Sequence, residues 1–292
     1  MSLTAAGILR HPGVHDEIRC LARELLKIHD AYPRIGSVFA TEQRAMMGSI
    51  ALRLCFSSMP GLPRKGFVLS RFIGEVEAAG VASRNTADGF VKEMLKYGYL
   101  RQFDVAGDRR LRPFEPTETV LTAVLAWAVA HLQALDGLDG GERVHTVTRN
   151  PDVIARLHPQ LSSDLIGDGA EAAYPRTLAL FAWVVNSKLL TLRLLAGMGD
   201  VAPGASQVVT DVDSISGLAA WMKVSQTHLT RKMREAEAIG SLGWEGRRGQ
   251  SPMWISIGFL KEVADETAAR LAIFDAAYHA LFGNNVEDER RA

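Results

Sequence analysis

Apolar residues recur along the chain at intervals of three and four. Between Val14 and His29 they fall at Ile18, Leu21, Leu25 and Ile28, one stripe of an amphipathic helix, and a second helix is predicted over Thr41–Ser57. The stretch SSMPGLPRKG that follows carries the Pro and Gly residues of a loop. Leu69, Phe72, Ile73, Val76 and Ala79 then form a stripe that Gly80 closes as a C-cap glycine would. Ser83 caps the next helix, which turns Ala87, Phe90, Val91 and Met94 inward and Arg84, Asn85, Thr86, Asp88, Lys92 and Lys96 outward, and ends before Gly98. Here the period changes to two. YLRQF alternates as a strand, DVAGD turns, and RRLRPF returns as a second arm that Pro113 confines to an edge. A helical pattern resumes from Thr117 to Leu135.

DGLDGGERV reads as a linker, since its glycines have neither the preceding strand nor the following Lys-Ser/Thr of a phosphate loop. Beyond it the same order recurs. A long helix over Tyr174–Ala196 leads to a short one with Ile215, Leu218, Ala219 and Met222 on one face, and Ser225 opens another that ends before Gly240. SLGW and MWISI then form a second hairpin, with Arg247 and Arg248 near its tip and a turn about four residues shorter than the first. Val76 and Leu218, Ser83 and Ser225, Gly98 and Gly240, and Leu100 and Leu242 are each 142 positions apart, the signature of a diverged internal duplication. Lys232 stands where the first copy has Phe90. A last helix is predicted over Phe259–Phe282, followed by a polar tail.

Composition narrows the function classes. The 292 residues are 47% hydrophobic, enough to bury a sizeable core, and 33 basic residues balance 33 acidic ones, so polyanion binding must rest on local charge. Such clusters exist: Arg64–Arg112 holds ten basic residues against six acidic ones, and Lys223–Gln250 six against three. Cys20 and Cys55, the two cysteines, have no paired spacing; they read as buried thiols in a reducing compartment. The N-terminus lacks the pattern of a signal peptide, so a cytoplasmic location is expected. The apolar stretch Thr177–Met198 is interrupted by Asn186, Lys188 and Arg193, which argues for a buried helix and against a membrane span. Motifs for zinc proteases, nucleophile elbows and dinucleotide binding are absent, and His11 and His15 enclose Pro12-Gly13 with no third ligand in view, so neither an enzyme nor a metal or cofactor is expected. Trp127, Trp183 and Trp221 read as core.

Helix, turn, helix and basic hairpin follow one another in the order of a winged helix-turn-helix, in which the second helix enters the major groove and the hairpin lies alongside. SRNTADGFVKEMLKYGYLRQFDVAGDRRLRPFEPTE resembles the recognition helix and wing of MarR-type transcriptional regulators at Ser83, Gly98, Asp108-Arg109-Arg110 and Thr117. That resemblance implies that Asp108 holds the wing and that Arg109 and Arg110 touch DNA. The chain departs from the family at Gly89, where a basic or polar residue is usual, and in carrying two such units. The expected fold is therefore mainly α, two winged helix-turn-helix units with hairpin wings joined by long helices: residues 1–136, a linker with short helices over 137–170, residues 171–283, and the tail 284–292. The expected function is sequence-specific binding of double-stranded DNA in transcription regulation. Arg84, Asn85, Thr86 and Lys92 would act with Arg109, Arg110 and Arg112 in the first unit, and Gln226, Thr227, His228 and Arg231 with Arg247 and Arg248 in the second. A small-molecule effector and a homodimer are compatible with this reading. A plasmid-type replication initiator, which tandem winged helices also resemble, and a protein-interaction scaffold are the alternatives.

Overall fold

In a computed structural model the chain is mainly helical, with small antiparallel sheets. Residues 2–39, 41–57, 62–108, 110–150, 152–167, 176–181 and 187–289 are described. In chain order the elements are α1 (Ala5–Leu9), α2 (Val14–Ala31), α3 (Pro33–Val38), α4 (Glu42–Phe56), α5 (Leu69–Ala78), α6 (Arg84–Lys96), β1 (Leu100–Gln102), β2 (Phe114–Pro116), α7 (Glu118–Asp139), α8 (Arg143–Thr148), α9 (Val153–Gly167), α10 (Arg176–Phe181), α11 (Ser187–Ala196), β3 (Gln207–Val209), α12 (Ile215–Met222), α13 (Gln226–Ala238), β4 (Leu242–Trp244), β5 (Met253–Ser256) and α14 (Ile257–Glu289).

Packing divides the chain into two units that are discontinuous in sequence. An upstream unit comprises residues 32–129, 144–170 and 277–292; a downstream unit comprises 1–31, 130–143 and 171–276. The consecutive domains expected from element order are thus interlaced, because α2 packs on α11 and α9 packs on α4. Residues 137–170, read as a linker with short helices, hold the end of α7 together with α8 and α9. The predicted tail from Asn284 to Glu289 continues α14, and the long helix expected over Tyr174–Ala196 is described as α10 and α11, with 182–186 outside the described residues.

In the upstream unit the two predicted stripes close on each other. Phe72, Ile73 and Val76 of α5 meet Ala87, Phe90, Val91 and Met94 of α6 over Met47, Ile50 and Leu54 of α4, all buried. A chain of rings links this core to the sheet: Phe72 stacks on Phe90 with centroids 6.0 Å apart, and Phe67 lies 5.6 Å from both Phe72 and Phe114. Phe67 also exchanges backbone hydrogen bonds with Phe114, adding a single-residue third member to the β1–β2 pair.

The second strand lies later than the sequence suggests, at Phe114–Pro116 and not over Arg109–Phe114. Two local causes limit pairing over Arg110–Pro113, where the Pro113 carbonyl still accepts from Phe103 N–H at 3.1 Å. The Asp108 carboxylate accepts from the backbone N–H groups of Arg110 (2.9 Å) and Leu111 (3.3 Å), holding a turn, and Pro113 has no N–H to donate.

In the downstream unit Ile215, Leu218, Ala219 and Met222 of α12 and Leu229, Met233 and Ala236 of α13 are buried. Its sheet has three strands in the order β3-β5-β4, so β3 is a strand the period-two pattern did not reveal. β4 repeats β1 at a spacing of 142, but Trp244 pairs with Met253 where Gln102 pairs with Phe114, a connection shorter by three residues and not four. Gly243 is needed within that ladder: a Cβ there would sit 2.3 Å from the Trp254 ring. Asp275, fully buried, accepts from Arg143 Nε at 2.8 Å and from Ser2 Oγ at 2.9 Å.

Two expectations about burial change. Trp127 and Trp221 are half-buried, and Trp183 lies outside the described residues. Cys20 is exposed, whereas Cys55 is buried and its thiol is pushed up to about 12 by desolvation, which keeps it protonated. By length and composition α7, and not the Thr177–Met198 stretch, is the described helix apolar enough to cross a membrane, and 44% of its most apolar window is buried inside the protein.

The contact of α4 with α9 contains His158, 4% exposed, its ring edge-on to Phe56 at 6.0 Å and its Nδ1 without a partner among the described residues. Burial, with the nearby Arg53 cation, lowers its pKa to about 4. The folded state therefore holds this ring neutral while an unfolded chain protonates it at pH 6.5, so the stabilisation is complete above that pH and is lost as pH falls toward 4. Urea unfolding across this range should show stability falling by up to about 1.4 kcal/mol per pH unit from this group, and His158→Phe should flatten that part of the profile. An unchanged profile in the variant would remove His158 as the cause.

Candidate nucleic-acid interface

Each unit presents one 13-residue helix with an exposed polar face, α6 and α13, and the two lie 142 positions apart. The local chemistry at both ends is shared. The Ser83 hydroxyl accepts from Thr86 N–H at 3.4 Å, and that of Ser225 from His228 N–H at 3.5 Å, meeting one of the unpaired donors of each first turn. At the other end Gly98 and Gly240 take φ of 68° and 74°, where a side chain is unfavourable, and the next residue, Tyr99 or Ser241, donates its N–H back to Met94 O or Ala236 O. These bonds close the helix and send the chain directly into β1 or β4.

Outward positions follow from this framing. Arg84, Asn85, Thr86 and Lys92 on α6 are exposed, as are Gln226, Thr227 and Arg231 on α13, while His228 is half-buried. Two predicted reading groups have local partners: the Thr86 hydroxyl lies 3.1 Å from that of Ser83, and His228 Nδ1 lies 3.3 Å from Arg231. Arg110 and Arg112 are exposed on the first hairpin and Arg247 and Arg248 on the second, and Arg109 lies outside the described residues.

Acidic neighbours take up part of the charge. Lys92 pairs with Asp88 at 2.6 Å, Arg101 and Arg64 with Glu115 at 2.7 and 3.2 Å, and Arg248 with Glu237 at 3.0 Å. Lys232, in the place of Phe90, lays its stem along the core and reaches Glu235 at 2.8 Å, with Arg231 3.9 Å from the same carboxylate. The hydrogen bond from Lys232 is the main cause holding Glu235 below the usual carboxylate range. Among the described residues, Arg84, Arg110, Arg112 and Arg247 have no carboxylate within ion-pair distance, which leaves them available to an anion.

Thr230 and Arg234 join this surface although the sequence reading passed over them. With Gln226, Thr227 and Arg231 they line an open concavity of about 680 Å³ along α13. The signal was present: Gln226, Thr230 and Arg234 are four apart and must share a face. His11, the other candidate ligand, uses Nδ1 to accept from Gly13 N–H at 3.1 Å in the turn before α2. Among the described residues no group of three or more His, Cys, Asp or Glu side chains is placed to hold a metal.

Two substitutions test the backbone framing. Gly89 is exposed in mid-helix, and a Cβ there meets nothing within 4 Å, so Gly89→Ala should raise stability by about 0.5–1 kcal/mol. Lys223, which ends α12 at φ 56°, is a non-glycine residue held in the left-handed region, so Lys223→Gly should gain about 1 kcal/mol. Thermal or urea unfolding reads both, and a loss of stability in either variant contradicts the corresponding backbone description.

Comparison with protein-family models, with curated proteins and with solved structures finds no match to this chain.

Proposed function

We propose that the chain is a sequence-specific DNA-binding protein that regulates transcription, with two winged helix-turn-helix heads, one in each unit. The observation that carries this reading is the repeated frame: a Ser-capped 13-residue helix with a polar outer face, a left-handed glycine, and an antiparallel hairpin with arginines at its connection. A helix of that length fits the major groove, and its first turn brings Arg84 and Asn85, or Gln226 and Thr227, toward base edges. Arg110, Arg112 and Arg247, beside the helices in sequence order and exposed, are suited to phosphates. The resemblance to MarR-type regulators supports the same roles. A protein-interaction module is the second reading, favoured by the internal pairing of Lys92, Arg231 and Arg248.

Selection of bound sequences from a random duplex pool tests binding and returns the site together. Affinity should fall with salt, the log-log slope being about −0.9 per phosphate neutralised. Arg110→Ala with Arg112→Ala should weaken binding to all sequences and flatten that slope, whereas Asn85→Ala should relax preference at one position by about 1–3 kcal/mol. A protein that binds no duplex at low salt rejects the DNA reading, and equal loss of specificity in both variants rejects the division of labour.

A further inference from the structure

The two hairpins differ in one contact. In the downstream unit Glu237, near the end of α13, accepts from the Trp244 indole Nε1 at 2.9 Å, and the same carboxylate oxygen, Oε1, forms an ion pair with Arg248 at 3.0 Å. Arg248 belongs to the β4–β5 connection, so this carboxylate ties the hairpin tip to the helix. Both side chains are partly withdrawn from water, 35% exposed for Arg248 and 23% for Glu237. The upstream positions 142 residues earlier than Glu237 and Trp244 are Leu95 and Gln102, which lack both the carboxylate and the indole. Arg110 and Arg112, the described cations of the upstream connection, have no carboxylate partner among the described residues.

We infer that Glu237 is a latch that withholds Arg248 from nucleic acid phosphate, so that the downstream hairpin is restrained while the upstream hairpin is charged and open. This rests on the DNA-binding reading and adds to it an inequality between the heads and a residue that sets it. The contact does more than neutralise charge, because a guanidinium paired with Glu237 on α13 must leave that ion pair before it can meet a phosphate oxygen. The downstream connection is left with Arg247 as its unpaired cation among the described residues. Affinity then comes mainly from the upstream head, and opening the latch strengthens the downstream one.

Glu237→Gln separates the latch from the fold, since the amide oxygen still accepts from Trp244 while the ion pair is lost. The probe is a labelled duplex of random sequence several helical turns long, titrated at a series of salt concentrations with the full chain. Four proteins are compared: wild type, E237Q, R248A and the double variant, each checked for an unchanged unfolding midpoint. E237Q should bind severalfold more tightly at low salt, with a slope steeper by about 0.9, the value of one added phosphate contact. R248A should bind within about twofold of wild type, since the latch already withholds that arginine, and should abolish the gain when combined with E237Q. A gain that survives in the double variant would reflect only the lost negative charge and overturns the latch, as does a large loss in R248A alone. If E237Q or R248A shifts the unfolding midpoint, Glu237 serves the fold and the latch is again overturned. Failure of the wild-type chain to bind the duplex at low salt has a different meaning: it removes the DNA reading on which the inference rests.

Discussion

Each unit depends on a single reversal of the chain, made at Gly98 and at Gly240. With φ near 70° the chain leaves its helix at a fixed angle, and the back-donated N–H of the following residue pins that angle to the last helical turn. Everything beyond inherits the geometry. Leu100 and Leu242 enter strands two residues later, the hairpins start from the same place relative to the helix, and the returning strands are fixed against Phe67 or β3. The serine caps set the other end of the frame. Between cap and glycine the sequence varies freely on the outer face, which allows two helices framed alike to present different chemistry.

Those frames were legible because they rest on local rules. A capping hydroxyl, a three-and-four stripe and a terminal glycine act within a few residues of one another, so α5, α6, α12 and α13 could be placed from the sequence, α6 and α13 with their serine caps. What escaped depends on distant partners. Phe67 and β3 are too short to show a period, and they become strand-like only because Phe114 and β5 lie beside them. The shift of β2 toward Pro116 follows from the Asp108 turn, which a period of two cannot register. Lys232 illustrates the opposite error: a charge at a core position looked like a packing conflict, and Glu235 with the lysine stem resolves it.

Charge balance operates here at the scale of single side chains. A chain with no net charge must place its acids somewhere, and several stand next to the cations that would otherwise define a binding face: Asp88 beside Lys92, Glu115 beside Arg64 and Arg101, Glu235 and Glu237 on α13. Counting basic residues along the sequence overstates the available charge for this reason. A largely exposed pair such as Lys92 with Asp88 contributes little to stability, about 0–1 kcal/mol, so its main effect is on which cations remain free to meet a ligand.

The interlacing of the two units sets an order of events during synthesis. Arg23 of α2 donates to the carbonyl of Ala196 at 2.9 Å across 173 positions, so the first helices to leave the ribosome gain much of their packing only after most of the chain has followed. The upstream unit has a shorter wait, since α9 follows α4 by about a hundred residues. Contacts of such separation slow folding, because the loop must close before the contact rewards it. The nascent chain thus completes its downstream unit and its N-terminal helices together, and a ribosome stalled before α11 would leave much of the amphipathic face of α2 bare to chaperones and proteases.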